Sequence, residues 1–383
     1  MTQRPVPTVF VRGGTSKALV FRRDDLPAGQ APDNTGAWDG IFLSAMGSPD
    51  PSGRQLDGMG GGISSLSKVA VVGPSSRDDA DVDYTFGQVL IDKAVVGYGG
   101  NCGNISSAIG PFAIDEGIVK PDGDTAEVRI YNTNTKKIIV SRFAVSNGKA
   151  VTEGDVAIDG VSGTGAPIRL SFLEPGGAAT GKLLPTGKAS ELLKLDSGRT
   201  VEASLVDVAN PVVFVRGSDL GFGTYSPSDK AIHSAESLAL YEDIRVAAAE
   251  AMGLVSDRNT ARTSMLNLPL VAIVFAPADF TAFSGQKIGA GEVDACVQFV
   301  SSGQPHKATP MTGAMCMAVA ARIPGSVVTV KGLGDGDFRI GHPSGILIVS
   351  ATVTEKDGEV FAVEATVLRT QRRLMRGEVY VAG

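Results

Sequence analysis

Gly99-Gly-Asn-Cys-Gly-Asn104 runs straight into Ile105-Ser-Ser-Ala-Ile-Gly-Pro-Phe112, so a glycine loop delivers the chain into an apolar segment. Ile105, Ala108, Ile109 and Phe112 recur at i, i+3, i+4 and i+7, which predicts a helix from about Asn104. A second junction of this kind is His306-Lys-Ala-Thr-Pro-Met-Thr-Gly-Ala-Met-Cys316, leading into a helix from about Thr312 to Arg322. That helix is apolar nearly all round (Ala314, Met315, Met317, Ala318, Val319, Ala321), and a helix without a polar face is enclosed by other structure. Each helix follows a similar strand and turn by roughly 90 to 100 residues: Thr8-Val-Phe-Val-Arg-Gly-Gly14 and Leu205-Val-Asp-Val-Ala-Asn-Pro211. Beyond those turns, Val212-Val-Phe-Val-Arg-Gly-Ser-Asp-Leu220 parallels Leu19-Val-Phe-Arg-Arg-Asp-Asp-Leu26. The economical reading is an α+β chain of two similar halves, 1–185 and 186–383, each a mostly antiparallel sheet around a buried central helix. The boundary is expected near the Gly/Pro-rich stretch Pro175 to Gly187, the last strand crosses back to the first half, and the active site is expected in the cleft between the halves.

Much of the remainder reads as strand. Val82, Tyr84 and Phe86 alternate with polar neighbours. Val128 to Tyr131 and Ile138 to Val140 flank the turn Asn132-Thr-Asn-Thr135, a hairpin signal. Asn147-Gly148 and Asp357-Gly358 are turns suited to positive φ, and such tight connections imply antiparallel pairing. Ser234 to Met252 is an amphipathic helix with Leu238, Tyr241, Ile244 and Ala248 on one face and Gly253 as its C-terminal cap.

Composition narrows the classes. In 383 residues, 43% hydrophobic and 20% charged side chains are enough to build a core, which excludes a disordered chain. Glycine is in excess, 48 against roughly 27 at the usual ~7% frequency. The net charge of −6 and the lack of a basic cluster argue against nucleic acid. Three cysteines without a CxxC pair give no disulfide framework. Met1 to Gly14 lacks a signal-peptide layout, and the longest apolar run, Leu268 to Ala278, is too short and Pro-broken to span a bilayer. A cytoplasmic protein without membrane or nucleic-acid partners is expected, with a homodimer as the default assembly.

Among reactive groups, Cys102 stands at a helix N-terminus where the thiolate is favoured; it reads equally as a small core cysteine. Lys68 ends Gly60-Gly-Gly-Ile-Ser-Ser-Leu-Ser-Lys68 and opens the run Val69 to Val72. Loss of hydration there would make it a usable base, although snorkelling to solvent is the commoner fate of such a lysine. Lys307 offers a charge for a carboxylate, against the commoner role of a lone surface lysine; Cys316 reads as core, and His342 as a structural turn histidine. Gly58-Met-Gly-Gly-Gly62 fails as a dinucleotide fingerprint, there is no Walker A motif, and metal-ligand spacing is absent. A Cys102 dyad with His306 or His342 has no local support.

Arg12-Gly-Gly-Thr-Ser-Lys17, Gly47-Ser-Pro-Asp50, Asp57-Gly58, Ser65-Leu-Ser-Lys68, Asp81-Val-Asp-Tyr84, Gly100-Asn-Cys-Gly-Asn104, Leu184-Pro-Thr-Gly187, His306-Lys307 and His342-Pro-Ser-Gly345 follow one another along the whole chain. In these pieces the sequence resembles the methylitaconate delta-isomerase and 2-methylaconitate cis–trans isomerase group, the PrpF family. Asn132-Thr-Asn-Thr135 and Ala178-Ala-Thr-Gly-Lys182 look closest to the methylitaconate branch. Ala18 departs from the glycine common after Ser-Lys, and Pro111 from some relatives.

The resemblance implies the two-domain fold of diaminopimelate epimerase and a cofactor-free, metal-free isomerase of a small unsaturated di- or tricarboxylate. It also implies that Lys68 and Cys102 are the catalytic pair, facing each other across the pocket. Substrate binding falls to Thr15, Ser16, Ser65, Ser67, Asn101, Gly103 and Asn104 in the first half, and to Lys307, Thr312, Gly313 and Ser344 in the second. Related epimerases use one cysteine per half, whereas here Met311-Thr312 occupies the second position, which weighs against an amino-acid racemase. A 4-oxalomesaconate tautomerase, an aconitate isomerase and a non-catalytic carboxylate-binding protein are the other readings.

Overall fold

The computed structural model describes residues 2–28, 36–265, 267–301, 303–330, 332–334 and 336–383. The chain divides into two compact units, Met1–Ser171 with Leu368–Gly383, and Phe172–Val367. The first break thus precedes the expected 185/186. The Gly/Pro-rich stretch is fastened inside the second unit, where Gly177 N–H donates to Asp207 O, Asp207 N–H to Leu183 O, and Ala209 N–H to Pro175 O. The stretch expected to hold the boundary is thus tied to β-structure by its backbone hydrogen bonds.

In the first unit, β1 (Gln3–Gly13) and β2 (Ser16–Arg22) form an antiparallel hairpin. The turn between them requires glycine: Gly14 has φ +50°, and a Cβ there would lie 2.2 Å from Asn104 Oδ1. Helix α1 (Gly36–Met46) crosses over to β3 (Lys68–Pro74), parallel to β2, and β4 (Val82–Val89) returns antiparallel. Helix α2 (Gly103–Asp115) then leads to β5 (Thr125–Asn132), parallel to β4, and the Asn132–Thr135 turn gives antiparallel β6 (Lys137–Ser146). The C-terminal strand Gln371–Ala382 pairs antiparallel with β1.

Strand alternation sorts the side chains of this sheet onto two faces. Leu19, Phe21, Val69, Val71 and Val89 pack on Trp38, Ile41, Phe42, Ala45 and Met46 of α1. On the opposite face, β3 and β4 set Lys68 beside Gln88, Ala70 beside Phe86, and Val72 beside Tyr84. Every residue of α2 from Ile105 to Ile114 is buried, against strands that include β1, β2, β3, β5 and β6. Burial of each large apolar side chain there contributes about 1.5–3 kcal/mol. Helix and strand touch at Gly110, whose Cβ would fall 2.6 Å from Ser141 Oγ.

The second unit repeats this order of pairing. Strands β7 (Thr200–Val208) and β8 (Asn210–Arg216) are antiparallel around Ala209 at φ +58°. Helix α3 (Ala235–Ala251) leads to β9 (Leu270–Phe275), parallel to β8, with β10 (Ala295–Ser301) antiparallel to it. Helix α4 (Met311–Ala320) is followed by β11 (Asp337–His342), parallel to β10, and antiparallel β12 (Gly345–Lys356). All ten residues of α4 are buried. Helix α3 is capped by the Ser234 hydroxyl, which accepts from Ser237 N–H, and Gly253 follows its end at φ +71°.

Most of the described pairings are antiparallel, as expected, but parallel pairs occur as well. Helical or looped crossovers join four parallel pairs, because a parallel partner needs a connection long enough to reach back along the sheet. Among the described residues no helix is long and apolar enough to cross a membrane.

Candidate active site

Lys68 is the first residue of β3 and is only 8% exposed. Its Nζ donates to Gln88 Oε1 at 2.5 Å and stands 5.1 Å from the centre of the Phe86 ring. Gln88 is itself oriented, since its Nε2 points at the carbonyls of Ser64, Ser67 and Val89 at 3.0–3.3 Å. That leaves the amide oxygen, an acceptor only, for the lysine. Ser67 stands behind, fully buried, and donates to Gln55 Oε1 at 2.6 Å. Gln55 in turn donates its side-chain amide to Ser48 Oγ and its N–H to Asp50 Oδ2. The Ser52 hydroxyl, joined by backbone N–H groups, draws the Asp50 carboxyl down to about 2, so the loop is tied to a permanent anion. Ser67 thus braces the loop that presents Lys68. Ser65 is half-buried in the short turn Ser64–Leu66 before it.

Cys102 is the residue before α2, half-exposed, and its side chain makes no capping hydrogen bond. Its carbonyl accepts the first helical bond, from Ser106 N–H at 3.0 Å. The first N–H groups of α2, beginning with those of Gly103 and Asn104, lie ahead of that bond and face outward from the helix end. Asn101 Oδ1 accepts from Ser106 Oγ at 3.3 Å and from Asn132 Nδ2 at 3.4 Å, so its side chain is engaged in holding the loop. Asn134 completes the fastening through Phe86 N–H, Phe86 O and Tyr98 O. The Asn132–Thr135 turn therefore shapes the Cys102 loop.

Tyr84 joins the two sides of this site. It is fully buried, and burial first and the neighbouring Cys102 sulfur second push its phenol well above the usual 10, so it stays protonated. Tyr84, Phe86 and Gln88 alternate along one face of β4, at about 7 Å per two residues. Lys68 lies over Phe86, and Cys102, at the start of α2, acts electrostatically on Tyr84 two residues along the same face of β4. The alternation of Tyr84 and Phe86 was readable in the sequence. Its pairing with Lys68 was not, and Gln88 and Gln55 were missed for that reason.

Thr15 and Asn104 also meet. Asn104 Nδ2 donates to Thr15 Oγ1 at 3.1 Å, which leaves the Thr15 hydroxyl proton available to a ligand. Ser16 is buried at the start of β2.

In the second unit the remaining candidates gather at the start of α4. Thr312 Oγ1 accepts from Asn210 Nδ2 at 2.9 Å, binding the helix to the β7–β8 turn as Asn104 binds α2 to the β1–β2 turn. Gly313 permits close packing, since its Cβ would lie 2.6 Å from Phe299. Ser344 Oγ donates to Lys307 O at 2.5 Å, and the Lys307 side chain is exposed. His342 is buried, with Nδ1 accepting from Ser344 N–H at 3.2 Å. Helix α4 begins at Met311, one residue before the expected Thr312. Cys316 is buried with Sγ 3.4 Å from Val206 O, and Cys296 is buried too, its thiol pushed up by burial to about 11. Among the described residues no three His, Cys, Asp or Glu side chains are grouped to hold a metal ion.

Comparison with known proteins adds a decisive observation: the PrpF protein family model matches residues 3–382. The chain belongs to the PrpF family. It is 43% identical to 3-methylitaconate isomerase of Eubacterium barkeri, over 99% of this chain and 98% of that one. It is 38% identical to 2-methyl-aconitate isomerase of Cupriavidus necator, over 100% and 98% respectively. A crystal structure of methylitaconate-delta-isomerase superposes with a TM-score of 0.84 at 42% identity, covering 100% of this chain and 96% of that one. A hydroxyproline epimerase from Agrobacterium vitis, at 11% identity and a TM-score of 0.54 over 98% and 93%, shares the fold alone. A probable proline racemase from Agrobacterium radiobacter, at 12% identity and a TM-score of 0.53 over 97% and 92%, likewise shares only the fold with this PrpF chain.

Proposed function

We propose that this chain is an isomerase that moves the double bond of a small unsaturated di- or tricarboxylate of the methylitaconate or 2-methylaconitate type, with Lys68 and Cys102 as its acid–base pair. The reading is supported by the buried Lys68 lying over Phe86, and by Cys102 at the start of α2 acting electrostatically on Tyr84, two residues from Phe86 on the same face of β4. Full-length similarity to two isomerases of such acids supports it. The finer architecture proposed with it is a duplication, each unit a sheet wrapped around its own buried helix. A cytoplasmic homodimer is the proposed assembly.

An allylic C–H is acidified by conjugation to a carboxylate. Lys68, as the neutral amine, takes that proton and becomes an ammonium; the C–H electron pair moves into the conjugated system, giving a dienolate. Gln88 Oε1 accepts from the Lys68 amino group throughout and gains strength as charge develops on it. A proton then returns at the far end of the allyl unit. If the ammonium supplies it, Lys68 is restored directly. If the Cys102 thiol supplies it, the thiolate recovers a proton from the ammonium. Simple return shifts the double bond, and rotation before return gives the cis–trans isomer. The uncapped N–H groups at the start of α2 and the Thr15 hydroxyl are donors for the negative charge that develops on the carboxylate. General acid–base transfer contributes about 10²–10⁴-fold, so fixed positioning supplies the remainder.

Proton NMR of methylitaconate, 2-methylaconitate, aconitate and 4-oxalomesaconate with the purified protein tests the reading. Conversion of at least one acid to its double-bond isomer is expected. No conversion of any of the four overturns it.

A further inference from the structure

Among the described residues, most buried charged groups are held by an ion pair or by a full set of hydrogen bonds. Asp83 meets Arg23, and Asp207 accepts from the N–H groups of Ala179 and Thr180 and from the Thr180 hydroxyl. Arg245, 2% exposed, shows how the fold satisfies a structural guanidinium: two bonds to the Glu242 carboxylate and three to the carbonyls of Met265, Leu268 and Ala261. Arg369 is different, a buried guanidinium without a carboxylate among the described residues.

Arg369 is 6% exposed, at the end of the strand Glu359–Arg369. Its Nε donates to Asn104 Oδ1 at 3.2 Å and its Nη1 to its neighbour's carbonyl, Leu368 O, at 2.9 Å. Both acceptors are neutral, and Nη2 has no partner among the described residues. Asn104 is the residue that also donates to Thr15, so Thr15, Asn104 and Arg369 form one chain of contacts on the first turn of α2. The surroundings add positive charge. Arg12 donates to Gly14 O and Thr370 O beside this turn, and its guanidinium is disfavoured by burial and by Arg372. None of Arg12, Arg369 and Arg372 has an ion-pair partner among the described residues, whereas Arg373 and Arg376 meet Asp115 or Glu116. Burial pulls the Arg369 guanidinium down to about 10, still charged at neutral pH.

We propose that Arg369 is a substrate-carboxylate anchor, pairing with one carboxylate of the di- or tricarboxylate at the first turn of α2 beside Thr15 and Asn104. The proposal rests on the reading of the protein as an isomerase of such acids. A buried cation without an anion is unfavourable in the empty protein, and a carboxylate supplies the missing charge and the acceptor for Nη2. Arg369 binds and orients, while Lys68 moves the proton.

The test uses Arg369→Gln and Arg369→Lys in the full chain, with the acid that turns over. For Arg369→Gln, KM should rise by about 30-fold or more with kcat altered much less, because one partner of a buried charged pair is lost. Arg369→Lys should recover part of the KM. Calorimetric binding of methylsuccinate and of its monoamides reads the anchor without turnover. Wild type should bind the diacid at least ~30-fold more tightly than one of the monoamides, and Arg369→Gln should abolish that preference. Unchanged KM and an unchanged preference in Arg369→Gln would overturn the proposal. If the wild type converts no acid, the isomerase reading fails, and the calorimetric arm alone decides the anchor. Should Arg369→Gln fail to fold, the same comparison is made with Arg369→Lys, in which an unweakened preference and KM count against the proposal.

Discussion

Cys102, Cys296 and Cys316 differ in how much water their sulfur meets, and that difference sets their chemistry. Cys102 is half-exposed at a helix start, whereas the other two are buried and their thiols are disfavoured as thiolates by desolvation. A disulfide-exchange thiol reagent should therefore titrate one cysteine in the native protein and all three in denaturant. Cys102→Ser should leave none reactive in the native state. Two or more fast native thiols would contradict the assignment, and would reopen a mechanism with a second cysteine. Lys68 is the complementary case, a buried amine held by an amide oxygen and an aromatic ring, neither of which neutralises it.

At the scale of elements, both buried helices were legible because their apolar residues repeat at helical spacing after a glycine- or proline-marked loop. The hairpins at Asn147-Gly148 and Asp357-Gly358 were legible because all four residues need positive φ, as they have. Helix α1 was not read, although Trp38, Ile41, Phe42, Ala45 and Met46 have the spacing; Gly36 and Gly40 disguise it. Parallel pairing was invisible because it depends on crossovers, not on local pattern. Arg369 and Gln88 were missed because their roles come from contacts distant in sequence, with Asn104 and Lys68. The loop before α4 adds a test of its own. His306 donates its N–H to Phe299 O, and burial lowers its imidazole from 6.5 to about 4. Between those values the unfolded chain takes up a proton that the folded one refuses. Its contribution is therefore complete above about pH 6.5 and is lost as pH falls toward about 4. Denaturant titrations should show wild type losing on the order of 1–3 kcal/mol more than His306→Gln across that window. Parallel loss in the two proteins would contradict the lowering of the His306 imidazole.

At the scale of the molecule, one succession of strand pairings occurs in both units, yet the chemistry-bearing residues differ. A cysteine precedes the helix in the first unit and Pro310-Met311 stands at that junction in the second. The fold is shared with a hydroxyproline epimerase and a probable proline racemase of very different sequence. In this chain the unequal equipment of the two units fits a reaction in which one amine removes the proton and the electron pair travels along the substrate. Solvent-deuterium entry during turnover tests that claim most directly, followed by proton NMR in D₂O with wild type and Lys68→Met. Deuterium should appear at the allylic positions with wild type, in step with isomerisation, and enter at least ~10²-fold more slowly with a normally folded Lys68→Met. Exchange by Lys68→Met at the wild-type rate would contradict that claim.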